Sequence, residues 1–187
     1  MAPASQRWLL ASARQAVAQA LGVAASPPGR APDDPQLTQP VAVFVSWHEG
    51  PRLVGCIGTL QPGRSLREAV VHYAVQAGLH DARTPMPLPD DLPRLSCEIS
   101  VLSPPEPMDV QGLGPITAAL VPGRDGLVLR EGERRAVFLP VVWQSLPTRE
   151  AFVDALCTKA GIDARRHGAR VKGERFFAER FSDASVS

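Results

Sequence analysis

Apolar positions recur along the chain with two different spacings, and each spacing predicts a different kind of element. Over Gln6–Leu21 they recur every three or four residues, which predicts an amphipathic helix that Ser5 caps and Gly22 ends. Val41–Trp47 is β-branched and aromatic, and Leu53–Leu60 returns with a similar composition. Together these two segments predict a β-hairpin.

The turn of this hairpin is predicted at His48–Arg52, and a second helix follows the hairpin. Ser65 and Glu68 have the spacing of a capping box, which marks the start of that helix. Apolar residues occupy two opposite sides of the helix, so we expect it to be buried between a sheet and another layer. One side carries Leu66, Ala69, Val70, Tyr73, Ala74 and Ala77, and the other carries Val71, Val75 and Leu79.

The second half of the chain continues with short strands and helices. Arg94–Leu102 alternates between apolar and polar residues, so Glu98 points away from the apolar side of the predicted strand. Gly126–Arg130 and Arg134–Leu139 predict another hairpin, and Val171–Phe181 predicts a last strand.

Two further helices are predicted between these strands. Residues 110–121 favour a short helix, and Arg149–Ala160 predicts a longer one that Thr148 caps and Gly161 ends. Because strands and helices are interspersed and hairpins recur, the predicted class is α+β, with a largely antiparallel sheet packed with helices.

Composition and charge limit the possible functions. The 187 residues, 44% of them hydrophobic, suffice for one folded domain. The net charge of +1 is low for a protein that binds nucleic acid by neutralising phosphates, so we expect no nucleic-acid partner. Apolar runs stay well below 18 residues, so we expect no membrane span.

The spacing of the cysteines and the excess of arginine over lysine indicate the cellular compartment and the type of source genome. Cys56, Cys97 and Cys157 lie far apart, which argues against a disulfide scaffold and favours a reducing cytoplasm. Arginine outnumbers lysine 18 to 2, which favours a GC-rich bacterial genome and therefore no transit peptide. Residues 26–40 are rich in proline and predict a stiff connector after the first helix.

Gly55–Thr59, with the sequence Gly-Cys-Ile-Gly-Thr, is the segment most suggestive of chemistry. Two glycines within a strand are usual where the backbone bends or where another group approaches closely. A cysteine between them could be an accessible nucleophile with backbone amides nearby to stabilise an oxyanion. The alternative is that Cys56 is a small apolar residue beside a bulge, since cysteine is often buried.

A thiol nucleophile needs a base, and His72 is the candidate. His72, Gln76 and His80 form a polar row along the second helix, which would line a pocket or be an ordinary polar helix edge; the second is favoured. Spacing gives no third metal ligand beside the histidines, so we predict neither a metal site nor a bound cofactor. Asp81 and Arg83 could pair, cap the helix or bind an anion, and Glu98 would need a partner such as Arg83 if buried.

The segment Leu53–Leu60 resembles the Leu-Arg-Gly-Cys-Ile-Gly-Thr signature of the AMMECR-one family, whose bacterial and archaeal members are called AmmeMemoRadiSam system protein A. The resemblance extends in order over residues 5–181, which we therefore take as a single domain. It includes Phe44-Val-Ser46, Asp81-Ala-Arg83, Glu98–Pro107, Gly123–Leu127, Phe138–Trp143 and Leu156–Gly161.

This resemblance implies an α+β fold with a main sheet and a smaller subdomain around a cleft, but no established activity. The family name implies a shared pathway or complex with a Memo-like protein of dioxygenase-like fold and a radical-SAM protein. Metal and SAM chemistry would then belong to those partners. Candidate positions for ligand binding are those that match the family pattern: Gly55, Gly58, Thr59, Asp81, Arg83 and Trp143.

This chain departs from the family pattern at three positions. Val54 replaces the signature arginine, which removes one possible cation beside Cys56. Thr84 and His80 replace aromatic residues on either side of Asp81-Ala-Arg83, so a pocket around this loop would be more polar.

Two functions follow from these observations. In the first, Cys56 is the nucleophile or covalent tether of an enzyme that acts on a small molecule, with His72 as base, Arg83 as anion holder and Glu98 as orienting acid. In the second, which we favour, the chain is an accessory protein of a modification or metabolic pathway, and the Gly-Cys-Ile-Gly surface docks a partner. RNA binding is a third, weaker hypothesis because the chain is nearly neutral.

Overall fold

The structure is a computed structural model that describes residues 1–82 and 89–183. In these residues, eight strands form two four-stranded antiparallel sheets, and helices pack on each sheet. The helices are α1 (Pro3–Ala20), α2 (Leu66–Leu79), α3 (Leu113–Ala119), α4 (Arg149–Ala160) and α5 (Ala164–His167). The strands are β1 (Ala42–Glu49), β2 (Arg52–Thr59), β3 (Leu95–Leu102), β4 (Glu106–Gln111), β5 (Gly126–Glu131), β6 (Arg134–Phe138), β7 (Lys172–Phe176) and β8 (Ala178–Ser182). The predicted α+β class is therefore confirmed.

The chain divides into two compact units. The first contains Met1–Leu102 and the chain from Glu179 onward, and the second is Ser103–Ala178. The prediction of a single domain over residues 5–181 remains a prediction.

The first unit contains the sheet β2-β1-β3-β8 and the helices α1 and α2. Val43, Val45 and Trp47 alternate along β1 as fully buried residues and pack against the helices, where the Trp47 indole Nε1 donates to the Ala74 carbonyl oxygen at 3.0 Å. Burial of alternate residues on one face explains why this strand forms as the sequence predicts. The core also contains Leu9, Leu10, Val17, Leu66, Val70, Leu95, Cys97 and Ile99.

The second unit contains the sheet β4-β7-β5-β6 and the helices α3, α4 and α5. Leu127 and Leu129 of β5 pack with Phe152 and Leu156 of α4 in a core separate from that of the first unit. Trp143 stacks on Phe152 with ring centroids 3.9 Å apart.

Local signals predicted the helices well. The capping box of Ser65 and Glu68 is present at the start of α2. Thr148 caps α4, and Gly161 ends it in the left-handed conformation with φ of 67°. Both predicted hairpins and the short helix α3 are also present.

Three predictions about the elements of the first unit are wrong. Ser5 does not cap α1, because the helix begins at Pro3 and the Ser5 hydroxyl donates to Asp34 Oδ2 at 2.6 Å instead. The strand β1 continues through His48 and Glu49, which were assigned to the turn. Val71 is 39% exposed, so α2 is not buried on both sides.

The last strand is two strands rather than one. Lys172–Phe176 pairs in the second sheet and Ala178–Ser182 in the first, with Phe177 between them. The strand β4 was missed because Pro107 argues against a strand, but β4 is an edge strand, where proline is tolerated.

The connector over residues 26–40 contains one short 3₁₀ helix, Pro35–Thr38, which buries Leu37. Asp34 starts this turn by accepting a hydrogen bond from the Gln36 amide. Among the described helices, none has both the length and the apolar character needed to cross a bilayer.

Candidate functional site

Cys56 lies on the face of the first sheet that is opposite α1 and α2, which we call the far face. Trp47 points toward α2, so Ser46, its neighbour in β1, points to the far face. Ser46 is the register partner of both Cys56 in β2 and Glu98 in β3. Directly paired residues of a sheet share a face, so Cys56, Ser46 and Glu98 form one row across three strands.

Glu98 continues this row to the fourth strand. Both of its carboxylate oxygens accept hydrogen bonds from the Arg180 guanidinium, the shortest at 2.7 Å. The predicted partner Arg83 lies outside the described residues. Arg180 could not be chosen from the sequence, because nothing local shows that β8 pairs beside β3.

The two glycines of Gly55–Thr59 are required by packing. A Cβ atom on Gly55 would lie 1.9 Å from the Ala77 carbonyl oxygen of α2. A Cβ atom on Gly58 would lie 2.2 Å from the Val43 carbonyl oxygen and 2.5 Å from the Phe44 ring. Contact distances this short are prohibitive, so both positions need glycine whether or not a ligand binds nearby.

Asp81 contacts the strand that carries Cys56. Its Oδ2 atom accepts a hydrogen bond from the Cys56 backbone amide at 3.0 Å, and the residue is only 8% exposed. The strand β2 lies at the edge of its sheet, where unpaired amides invite pairing with another chain. The Asp81 carboxylate therefore protects this edge and occupies an amide that an oxyanion would otherwise use.

His48 is the histidine that shares the far face with Cys56. It lies two residues beyond Ser46 in β1 and pairs with Ser96 of β3. Its Nε2 atom is buried and has no hydrogen-bond partner in the described part of the chain. The sequence pattern assigns His48 to a turn. The signal for a longer strand is that polar Ser46 and His48 alternate with the apolar residues Val45 and Trp47.

His72 lies elsewhere. It belongs to α2, on the opposite side of the sheet from the Cys56 side chain, and its ring contacts Tyr73 edge-on at 4.9 Å between centroids. The structure therefore does not bring the proposed nucleophile and base together.

Two further candidates are Thr59, which bonds to a neighbouring residue, and Trp143, which lies in the core of the second unit. The Thr59 hydroxyl accepts a hydrogen bond from the Gln61 amide and donates one to the Gln61 carbonyl oxygen, each at 3.0 Å. Trp143 is 4% exposed in the core of the second unit, where its Nε1 donates to the Asp125 carbonyl oxygen at 2.7 Å.

The three cysteines differ in burial. Cys97 is fully buried on the helix side of β3, where burial, and secondarily the Asp183 carboxylate, raises the pKa of its thiol well above the usual range. Burial also raises the pKa of the Cys157 thiol. Cys56 is half-buried, which makes it the most accessible of the three to a reagent.

Within the described residues, no group of three or more His, Cys, Asp and Glu side chains is arranged to hold a metal ion. The charged part of the far face instead consists of the Glu98–Arg180 pair, which neutralises itself.

Comparisons with known proteins agree on one family. The family model described as AMMECR1 matches residues 10–181. A crystal structure of an uncharacterized protein from Pyrococcus horikoshii superposes with a TM-score of 0.78 and 30% identity, covering 94% of this chain and 90% of that one.

Two relatives of similar sequence come from archaea. A Thermofilum pendens protein is 37% identical over 140 residues, which are 71% of this chain and 63% of that protein. A Methanothermobacter thermautotrophicus protein is 35% identical over 140 residues, which are 71% of each chain. The chain thus spans less than two thirds of the Thermofilum relative, and a bacterial source remains a prediction.

Proposed function

Because the chain belongs to the AMMECR1 family, we propose that it is an accessory protein that works with a Memo-like protein and a radical-SAM protein in a modification or metabolic pathway. The far face around Cys56 is the proposed contact surface. The cytoplasm is the proposed compartment, since the cysteine pattern is typical of a reducing environment.

One observation supports this function above catalysis: the residues of the Gly55–Thr59 segment have structural explanations. Gly55 and Gly58 are needed for close packing, and the Cys56 amide is bound by the Asp81 carboxylate. A carboxylate on that amide leaves it unable to stabilise an oxyanion, which a cysteine nucleophile would require. The segment therefore fits a rigid surface better than a reactive centre.

Co-purification tests this proposal. The tagged chain, expressed in its own source cells, is expected to retain a Memo-like or radical-SAM protein, identified by mass spectrometry. Cys56→Ala is expected to keep that partner, because the thiol only fills space. Ser46→Arg is expected to lose it, because a long charged side chain would cover the middle of the far face.

Val71→Arg is the matched control, since Val71 is exposed on α2 and lies on the other side of the sheet. Unchanged circular dichroism would show that each variant folds. Loss of the partner from Val71→Arg but not from Ser46→Arg would contradict the proposed surface.

A second candidate function is a thiol enzyme with Cys56 as nucleophile. The observation that favours it is that Cys56 is half-buried on the same face as His48, whose Nε2 atom has no partner in the described residues. In this candidate His48 takes the role of base that the sequence assigned to His72, and Glu98 remains an orienting acid.

Alkylation of each cysteine against pH, read by mass spectrometry on folded protein, separates the two functions. An accessory role predicts that Cys56 reacts with a midpoint near that of an ordinary thiol, about 8.5. A midpoint well below that value, lost in His48→Ala, would favour the enzyme.

A further inference from the structure

The second sheet carries a row of like charges that the first sheet lacks. Arg130 of β5 is the register partner of both Arg135 in β6 and Lys172 in β7. Lys172 is in turn the partner of Gln111 in β4. We call Lys172, Arg130 and Arg135 the cationic row.

The three cations share the face of the sheet opposite its core. Leu127 and Leu129 of β5 point into the core with α4, so Arg130, the next residue along, points to the other face. All three side chains belong to exposed residues. The row therefore presents its charges to the surroundings rather than to the interior.

Internal neutralisation of the row is incomplete. The Nε atom of Arg130 lies 2.9 Å from a Glu174 carboxylate oxygen. For Arg135 and Lys172, no carboxylate lies within 4.0 Å in the parts of the chain that the structure describes. Within 4.0 Å, the three cations of the row thus have one carboxylate partner among the described residues.

Such a row opposes folding. Like charges on directly opposite residues of neighbouring strands repel each other and destabilise the sheet. Because all three residues are exposed, their charges do not contribute to packing in the second core. An anion from outside would neutralise the row and remove that repulsion.

The size of the row limits which anion fits. Neighbouring strands are about 4.8 Å apart, so the three cations span about 10 Å, the length of about three residues of extended peptide. Proteins that bind nucleic acid tightly by charge contact about 6–10 phosphates, and this chain has a net charge of only +1. Two or three neighbouring carboxylates match the row better.

We propose that the cationic row is a docking site for an acidic segment of a partner protein, bound through carboxylates to Lys172, Arg130 and Arg135. Each guanidinium group can donate a pair of hydrogen bonds to the two oxygens of one carboxylate. This site belongs to the second unit alone and stands independently of any role of Cys56.

Fluorescence anisotropy with a labelled peptide of eight glutamates tests the site. The full chain is expected to bind the peptide at low ionic strength and to lose most of that affinity at high ionic strength. The double variant Arg135→Gln and Lys172→Gln is expected to raise Kd at least about tenfold, because two charge-assisted contacts are lost.

The matched control is the double variant Arg64→Gln and Arg67→Gln, which removes the same charge from exposed residues of the first unit. An equal rise of Kd in this control, or the absence of saturable binding by the wild-type chain, would overturn the proposal. Tighter binding of an oligouridylate of equal charge would overturn the peptide as the occupant in favour of nucleic acid.

Thermal unfolding of the double variant tests whether the cationic row contributes to the stability of the second sheet. The Arg135→Gln and Lys172→Gln variant is expected to unfold at an equal or higher temperature than the wild type at low ionic strength, since repulsion is relieved. A lower unfolding temperature would show that the row supports the sheet itself, and would also contradict the proposal.

Discussion

The two sheets differ in the charges that neighbouring strands bring together. Across the far face of the first sheet, Glu98 meets Arg180, and the two charges cancel. In the second sheet, exposed Arg130 is the register partner of exposed Arg135 and Lys172, and all three charges have the same sign. The first arrangement has both charges within the chain. In the part of the chain that the structure describes, the second has one carboxylate, that of Glu174, within 4.0 Å of its three cations. The comparison teaches that residues with internal partners are explained by folding, and that residues without them point to an external partner.

The largest effect is expected from Gly55→Ala, which tests whether contacts within the chain require glycine at this position. Gly55→Ala would place Cβ 1.9 Å from a backbone carbonyl of α2, so helix and strand must separate. We expect a loss of about 3 kcal/mol or more in the free energy of unfolding, measured by urea denaturation.

Gly63→Ala is the control for this variant, because its Cβ would meet no atom within 4 Å. We expect its free energy of unfolding to stay close to that of the wild type. If Gly55→Ala were as mild as the control, the glycine would need an explanation outside packing, and the comparison between the two sheets would weaken.

An intermediate effect concerns the two cysteines on opposite faces of the first sheet. Burial raises the pKa of Cys97 in the folded state, so above the pKa of an unfolded thiol, about 8.5, the unfolded chain releases a proton that the folded chain keeps. Stability from this group is complete below that pH and falls above it by about 1.4 kcal/mol per pH unit. The fall continues until the folded-state pKa is reached.

Urea denaturation between neutral and alkaline pH measures this slope. The slope is expected to be smaller in Cys97→Ala, which removes the buried thiol. Cys56→Ala, which removes the half-buried thiol on the opposite face, is the control. Equal slopes in the wild type and Cys97→Ala would show that the buried thiol does not control alkaline stability.

The smallest expected effect is that of the Glu98–Arg180 pair. Their side chains are 22% and 35% exposed, so solvent screens the pair, and Glu98→Gln is expected to cost about 0.5–1 kcal/mol. The cost should shrink in high salt. Removal of the more exposed Arg52–Glu49 pair by Arg52→Gln should cost less, and the reverse order would contradict the idea that the far face is electrostatically complete.

Much of the fold could be predicted because its signals are local. The capping box at Ser65, the cap at Thr148 and the left-handed Gly161 each depend on a few neighbouring residues. Alternation in Arg94–Leu102 likewise located β3 and the polar face that carries Glu98. Short-range side-chain and backbone preferences decide such features, so the sequence is sufficient for them.

The site was harder to predict because it depends on strand pairing. Glu98 and Arg180 are 82 residues apart, and no local pattern reports which strands become neighbours. His48 was missed because the pairing of β1 with β2 shifts after Trp47 and the strand continues past the expected turn. To choose His48 rather than His72 as the base, one would have to know on which side of the sheet α2 packs.

Phe177 separates β7 from β8, so the chain passes from the second sheet to the first within one residue. The strand β8 joins the first sheet beside β3, although Ser103–Ala178 lies between them in the chain. A ribosome therefore delivers the final strand of the first sheet only after the whole second unit has emerged. The Phe177 carbonyl accepts a hydrogen bond from the Ser103 amide at 2.9 Å, so folding of the nascent second unit brings its own two ends together. That closure shortens the loop that the last strand must span to reach its place beside β3.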